Sequence, residues 1–288
     1  LIDFCPQLGK IKLLEEMSMK KNKRVGSLIT ELLSHPSKQY SYKDFCTKFD
    51  IAKSSLSEDI AIAGEVIAEE GIGKLETIQG ANGGFRYIPS LSSNKLDNLQ
   101  RTLASKLSDP SRILGGNFLY TSDLMFDSQL TRSMGAYFAG EFANLKADYI
   151  VTVETKGISL AADVAFMMNL PLVVVRREAK YSEGSTVSIN YFSGSYDRIQ
   201  KMSIAKRAVA PNKRAIIIDD FMRGGGSLKG VTEILSEFDI EVVGAGVAIA
   251  SREPSKKKIS SYLPVIYLDS IDEESKVIVA SFDRAKNA

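Results

Sequence analysis

The stretch Ile216-Ile217-Ile218-Asp219-Asp220-Phe221-Met222-Arg223-Gly224-Gly225-Gly226-Ser227 constrains this chain more than any other. Consecutive isoleucines read as a strand buried on both faces, which belongs in a parallel sheet covered by helices. Two acids end the strand, three glycines and a hydroxyl follow, and a helix starts. Ligands of open α/β sheets bind at the carboxyl ends of strands. Gly224, Gly225 and Gly226 let the backbone curl so that its N–H groups converge on a phosphate. Ser227 adds a hydroxyl donor, and the helix adds its positive end. Asp219 and Asp220 are acceptors suited to vicinal ribose hydroxyls, so the complement is a 5-phosphorylated ribose. An ordinary tight turn would leave two adjacent acids repelling each other without compensation. The spacing matches neither GxxxxGK[ST] nor GxGxxG.

The surrounding region repeats the strand-then-helix alternation. YIVTV (149–153), PLVVVR (171–176), TVSINYF (186–192), RAIIID (214–219) and VVGAGVAIA (242–250) are apolar runs separated by helical stretches. They predict an α/β domain with a mainly parallel sheet over 96–288. Thr155, Lys156 and Gly157 follow YIVTV, where a diphosphate-binding loop and a generic βα turn fit equally. Arg176 and Arg177 suit diphosphate oxygens or a surface pair. Phe221 suits a base or ribose face, or the core.

The first 90 residues read differently. Val25, Leu28, Ile29, Leu32 and Leu33 recur at helical spacing until His35-Pro36. Ser41 caps a second helix that ends at Phe49, with Tyr42, Phe45 and Phe49 on one face. A third helix runs from Ala52 to Glu70, closed by Gly71. LETIQ and FRYIP flank a Gly/Asn cluster, the mark of a hairpin. Three helices and a hairpin predict a small winged helix-turn-helix domain over 19–90, with a polar linker at 91–95. Lys53, Ser54, Ser55 and Ser57 open the third helix, where small hydroxyls approach a phosphate backbone closely. Upstream, Lys20, Lys21, Lys23 and Arg24 form a basic arm. Met19 to Glu58 holds eight Lys/Arg against four Asp/Glu, whereas the whole chain carries only +2. Any nucleic-acid contact therefore depends on local clustering. The later acids of helix three, Glu58 and Asp59 among them, are expected to face away from DNA or toward partner groups. A solvated charged face is the plainer reading of such runs, but units of this plan mostly bind DNA.

Several classes are excluded. Cys5 and Cys46 lie far apart without CxxC spacing, which argues against a disulfide framework, a zinc site or any other metal site. Free thiols suit a reducing cytoplasm. His35, the single histidine, has no positioned partner for catalysis. No apolar run approaches the length that spans a bilayer. Residues 1–18 lack a secretory pattern and are set aside as a leader of uncertain origin, since Met19 reads as a start.

The strand, acid pair, glycine turn and hydroxyl resemble the phosphoribosyl pyrophosphate (PRPP) motif of type I phosphoribosyltransferases. Arg223 stands where those enzymes usually have a small residue, and Gly224 where they often have Thr. Together with RVGSLITELLSHPSK, AKSSLSEDI, GANGGFRYIP, SDPSRILGG, TKGISLAADVA, EGSTVSINYFSGS and QKMSIAKRA, the chain from Met19 on resembles the purine operon regulators of Gram-positive bacteria. The resemblance implies a cytoplasmic homodimer that binds double-stranded operator DNA, with PRPP as effector and no catalysis. It implies ribose hydroxyls on Asp219 and Asp220, the 5-phosphate on Arg223 to Ser227, and pyrophosphate on Thr155, Lys156, Gly157 and Arg176. Competing phosphorylated nucleotides, and Mg²⁺ arriving with the effector, are compatible with it; no cofactor is required. The polar stretch 180–196 sits where type I enzymes carry a loop over the ligand. An active purine phosphoribosyltransferase with an appended N-terminal domain is the principal alternative, and an RNA-binding attenuator a further one.

Overall fold

A computed structural model describes residues 19–80, 83–116, 118–178, 184–193 and 198–283. The chain divides into two compact units that part between Ile88 and Pro89.

The first unit has three helices, α1 (Lys21–Ser34), α2 (Tyr42–Phe49) and α3 (Lys53–Glu69), followed by strands β1 (Gly73–Ile78) and β2 (Gly84–Pro89), which pair as a hairpin. Leu28 and Leu32 of α1 enter a core with Phe45, Phe49, Leu56, Ile60 and Phe85. Leu33, expected on that face, is instead exposed. One residue on from Leu32, it is turned about 100° away, since a helix has ~3.6 residues per turn. Ser41 caps α2 reciprocally with Asp44: Asp44 N donates to Ser41 Oγ at 3.3 Å and Ser41 N to Asp44 Oδ2 at 3.0 Å. Such a cap contributes about 1 kcal/mol. The hairpin turn residues Ala81 and Asn82 lie outside the described residues.

The second unit is built on a six-stranded sheet, in the order β12-β11-β10-β9-β5-β6. Its strands are β5 (Tyr149–Val153), β6 (Leu172–Val175), β9 (Arg214–Met222), β10 (Glu241–Ser251), β11 (Leu263–Asp272) and β12 (Val277–Ser281). All pairings are parallel except β11 with β12. Helices α4 (Ser93–Leu107), α5 (Ser122–Met125), α6 (Ser128–Glu141) and α7 (Gly157–Met168) supply one apolar layer, which receives Ile216 and Ile218. Helix α8 (Gly226–Ser236) supplies the other, which receives Ile217. The isoleucine run is thus buried on both faces, as period-two alternation in a covered sheet requires. A short hairpin, β3 (Ile113–Gly115) and β4 (Phe118–Leu119), precedes α5.

One expected sheet strand lies elsewhere. Thr186–Ser193 forms β7, which pairs antiparallel with β8 (Arg198–Ala205) in a separate two-stranded ribbon. Its apolar residues Val187, Ile189 and Tyr191 alternate with Ser188 and Asn190, and it is their face that packs on the α8 layer. Burial of one face is characteristic of antiparallel ribbons, not of central parallel strands. The stretch expected to form a loop over the ligand therefore contains a strand, while 179–183 and 194–197 lie outside the described residues. Among the described residues no helix is long and apolar enough to cross a membrane.

Candidate functional site

A cavity of about 400 Å³ lies at the carboxyl ends of β5 and β9. Asp219, Asp220, Phe221, Arg223 and Ser227 line one side, and Val153, Glu154, Thr155, Lys156 and Arg177 another. Phe118, Leu119 and Thr121 complete the wall.

The turn after β9 takes its shape from glycine. Gly225 sits at φ 78° and caps α8 without offering a side-chain acceptor. An L side chain there would be strained. With no side-chain cap, the first-turn amides of α8 stay available to an anion. Gly226 is the first residue of the helix and Ser227 the second, with Ser227 on the cavity wall.

The acid pair is desolvated. Asp219 is 5% exposed and its Oδ1 accepts from Asp220 N at 3.0 Å. Burial raises the Asp219 carboxyl well above the ordinary carboxylate range, and the adjacent Asp220 raises it further. Burial also raises Asp220, opposed by its hydrogen bond with Asp219 and by the Lys156 ammonium. Such a pair gains from donors, and ribose hydroxyls are donors. Gly157 makes the close approach possible: a Cβ there would lie 2.5 Å from Thr152 Oγ1 and 3.2 Å from Asp219 Oδ1.

Thr155 and Lys156 line the cavity, and Lys156 Nζ reaches Thr121 Oγ1 at 3.4 Å. Arg176, expected at the diphosphate, is occupied differently. Its Nη1 donates to Glu154 Oε2 at 3.1 Å, and its backbone exchanges two hydrogen bonds with Ser203. Arg177 takes the place on the cavity wall, while its N donates to Glu154 Oε1 at 2.8 Å. Phe221 lines the cavity and also packs against the apolar layer of α4 to α7.

Two contributors carry no local signal in the sequence. The Phe118–Thr121 wall is held by Arg112, itself 9% exposed. Its guanidinium donates to Asp123 at 2.7 and 2.8 Å, to Lys106 O at 2.6 Å and to Tyr120 O at 2.9 Å. Those bonds hold the Asp123 carboxyl below its usual range. Arg112 belongs to the quoted SDPSRILGG, but nothing in that string points to a cavity. The second is Lys257, whose ammonium donates to Arg223 O at 2.6 Å.

In the first unit, Lys53, Ser54 and Ser57 are exposed at the start of α3, and Ser55 is half-buried. Ala52 provides no side-chain cap, so that helix start also keeps free amides. The Lys53 ammonium lies 4.8 Å from the Tyr42 ring centroid. The basic arm is mostly helix. Lys20 and Lys23 are exposed, but Lys21 pairs with Glu58 at 3.1 Å. Arg24 departs furthest from the expectation of a DNA contact, because its guanidinium is bound to the buried Asp59. Among the described residues no cluster of three or more His, Cys, Asp or Glu could hold a metal ion.

Residues 20–89 match the family described as bacterial purine repressor, N-terminal, and residues 129–286 match the phosphoribosyl transferase domain. The chain is 38% identical over 262 residues to the purine biosynthesis transcriptional repressor PurR of Bacillus subtilis, covering 91% of this chain and 92% of that one. It is 32% identical over 260 residues to the purine biosynthesis transcriptional activator PurR of Lactococcus lactis, covering 90% and 96%. An adenine phosphoribosyltransferase structure from Rhodothermus marinus superposes with a TM-score of 0.51 at 18% identity, over 62% of this chain and 100% of that chain, a likeness of fold alone. With both units matched and the identity sustained across nearly the full length of each relative, the chain belongs to the PurR family of purine biosynthesis transcriptional regulators.

Proposed function

We propose that this chain binds operator duplex DNA through its N-terminal unit and regulates purine synthesis and transport genes, with PRPP as an effector that it senses without turnover. The observation that carries the effector reading is the convergence on one cavity of the acid pair, Lys156, Arg177, and Arg223 and Ser227 at the two ends of the glycine turn. In this reading the 5-phosphate sits on the turn from Arg223 to Ser227, where amides, a hydroxyl and a helix start are complementary to an anion. The ribose hydroxyls donate to Asp219 and Asp220. The diphosphate lies against Thr155 to Gly157, with Lys156 and Arg177 as counter-charges. Arg223 adds a further cation, which favours a polyanion over a neutral sugar.

Three carboxylates reach the cavity, and Glu154 among them is held by Arg176 and Arg177. A Mg²⁺ ion would therefore be carried in on diphosphate oxygens, with no resident protein cage. The relatives named as repressor and activator of purine biosynthesis support the gene target and a regulatory use of the fold. The functional species in this reading is a cytoplasmic homodimer, and phosphorylated nucleotides compete for the same cavity.

The test is calorimetry with PRPP and with ribose 5-phosphate, with and without operator duplex. Effector and operator must each change the other's affinity by the same factor. Binding of PRPP with no mutual effect on DNA would sink the linkage. A parallel assay for nucleotide formation from PRPP and each purine base would expose turnover.

A further inference from the structure

Behind the phosphate turn, the segment after β10 folds back and fastens it. Lys257 Nζ donates to Arg223 O at 2.6 Å, Ser251 O at 2.6 Å and Arg252 O at 3.3 Å. An ammonium has three donors, so this one is fully engaged by carbonyl oxygens. The next residue continues the attachment: Lys258 N donates to Gly224 O at 2.9 Å. Ile259 then lies so near the turn that a Cβ on Gly225 would come within 3.3 Å of its Cγ1. Lys256 and Lys258 are exposed, whereas Lys257 is half-buried.

This arrangement fixes where the turn's donors point. A peptide unit is planar and trans, so its carbonyl and its N–H face opposite ways. With the carbonyls of Arg223 and Gly224 held toward residues 257 and 258, the N–H groups of Gly224 and Gly225 are aimed away from them. No residue of the 252–259 segment lines the effector cavity among the described residues, whereas Arg223 and Ser227, on either side of the glycines, both do. Glycines alone would leave the turn free to sample many conformations. Holding it in one shape before the ligand arrives removes an ordering cost from binding.

We propose that Lys257 is a positioning residue for the 5-phosphate site, a clamp that holds the Arg223 and Gly224 carbonyls outward so that the turn's amides are presented to the phosphate. The role in phosphate binding rests on the effector reading above, but the clamp can be tested apart from it. Full-length K257M is compared with K256M, which removes the same charge one residue away. Amide exchange is followed at Lys258 and Lys229, whose N–H groups donate to Gly224 O and Gly225 O. The clamp predicts that K257M, and not K256M, accelerates exchange at these two amides by about tenfold or more. Amides of β5 and β10 keep their protection in both variants. Affinity for ribose 5-phosphate falls by about tenfold in K257M only. Equal behaviour of the two variants would overturn the proposal, as would loosening spread over the whole unit. Faster exchange in K257M, with no ribose 5-phosphate bound by the unsubstituted chain, would uphold the clamp and remove the effector reading.

Discussion

Arg24 donates to both carboxylate oxygens of Asp59, from Nε at 2.7 Å and from Nη2 at 3.2 Å, and so ties the first helix of the N-terminal unit to the third. Asp59 has no exposed side-chain surface and Arg24 only 12%. Removing one member of such a pair leaves an uncompensated buried charge, which costs about 3–5 kcal/mol. Arg24→Ala is therefore expected to destabilise the N-terminal unit by roughly that amount in chemical denaturation. The double change K20A/K23A should leave stability within about 0.5 kcal/mol while weakening operator binding. An R24A protein as stable as the parent would show that the pair is not structural.

Lys53 lies at the exposed, uncapped start of α3, against the Tyr42 ring. If it meets a phosphate, Lys53→Ala should weaken binding to all duplexes alike. The slope of log affinity against log salt should fall by about one. Unchanged operator affinity at moderate salt would refute that placement.

Asp219 gives a prediction with a definite sign. Its carboxyl titrates higher in the folded chain than in the unfolded one, where the ordinary value is 3.8, chiefly because it is buried. The folded state therefore holds more protons over that interval, and stability is lost as pH rises through it. Asp219→Asn removes the penalty. The variant should melt higher than the parent at pH 7, with the difference shrinking as pH falls toward 3.8. The same variant should lose ribose 5-phosphate binding. A variant that binds the sugar normally would show that this carboxylate does not hold the hydroxyls.

Arg176 and Arg177 are adjacent in sequence but not equivalent in the fold. Arg177 lines the cavity, and Arg176 is turned to Glu154. Loss of a charged hydrogen bond costs about 1.5–3 kcal/mol, so Arg177→Ala should weaken PRPP binding by at least about tenfold. Arg176→Ala, which removes a guanidinium turned to Glu154, should have a smaller effect. Calorimetric titration of both variants checks the order; a larger loss in R176A would reverse the assignment.

Much of this arrangement can be read in the sequence because local chemistry dictates it. Ile216 to Ser227 holds a strand, a charge pair and a turn in twelve residues, and each has one physical use. Ser41 and Asp44 likewise state their cap directly. The reading fails where a residue's role depends on distant chain. Whether Arg176 or Arg177 faces the cavity is decided by the bridge to Ser203 and by the position of Glu154, neither of which is local. TVSINYF has the apolar content of a central strand, while its period-two alternation from Val187 to Tyr191, visible in the letters, marks a ribbon. Lys257 stands in a run of three lysines that reads as solvated charge, and only the return of the chain onto Gly224 turns the middle one inward. Leu263 to Leu268 is strongly apolar, but nothing local assigns it and Val277–Ser281 to the edge of the sheet.

The cavity wall is drawn from stretches as far apart as Phe118 and Ser227, with Arg112 bracing one side and Lys257 the other. No fragment shorter than this span carries a complete binding surface, so a metabolite that fits it can associate with the native fold but not with the random chain. By mass action, its concentration then adds directly to the work of unfolding, about 2.7 kcal/mol at a hundred times the dissociation constant. A cell rich in that metabolite would thus hold a sturdier protein.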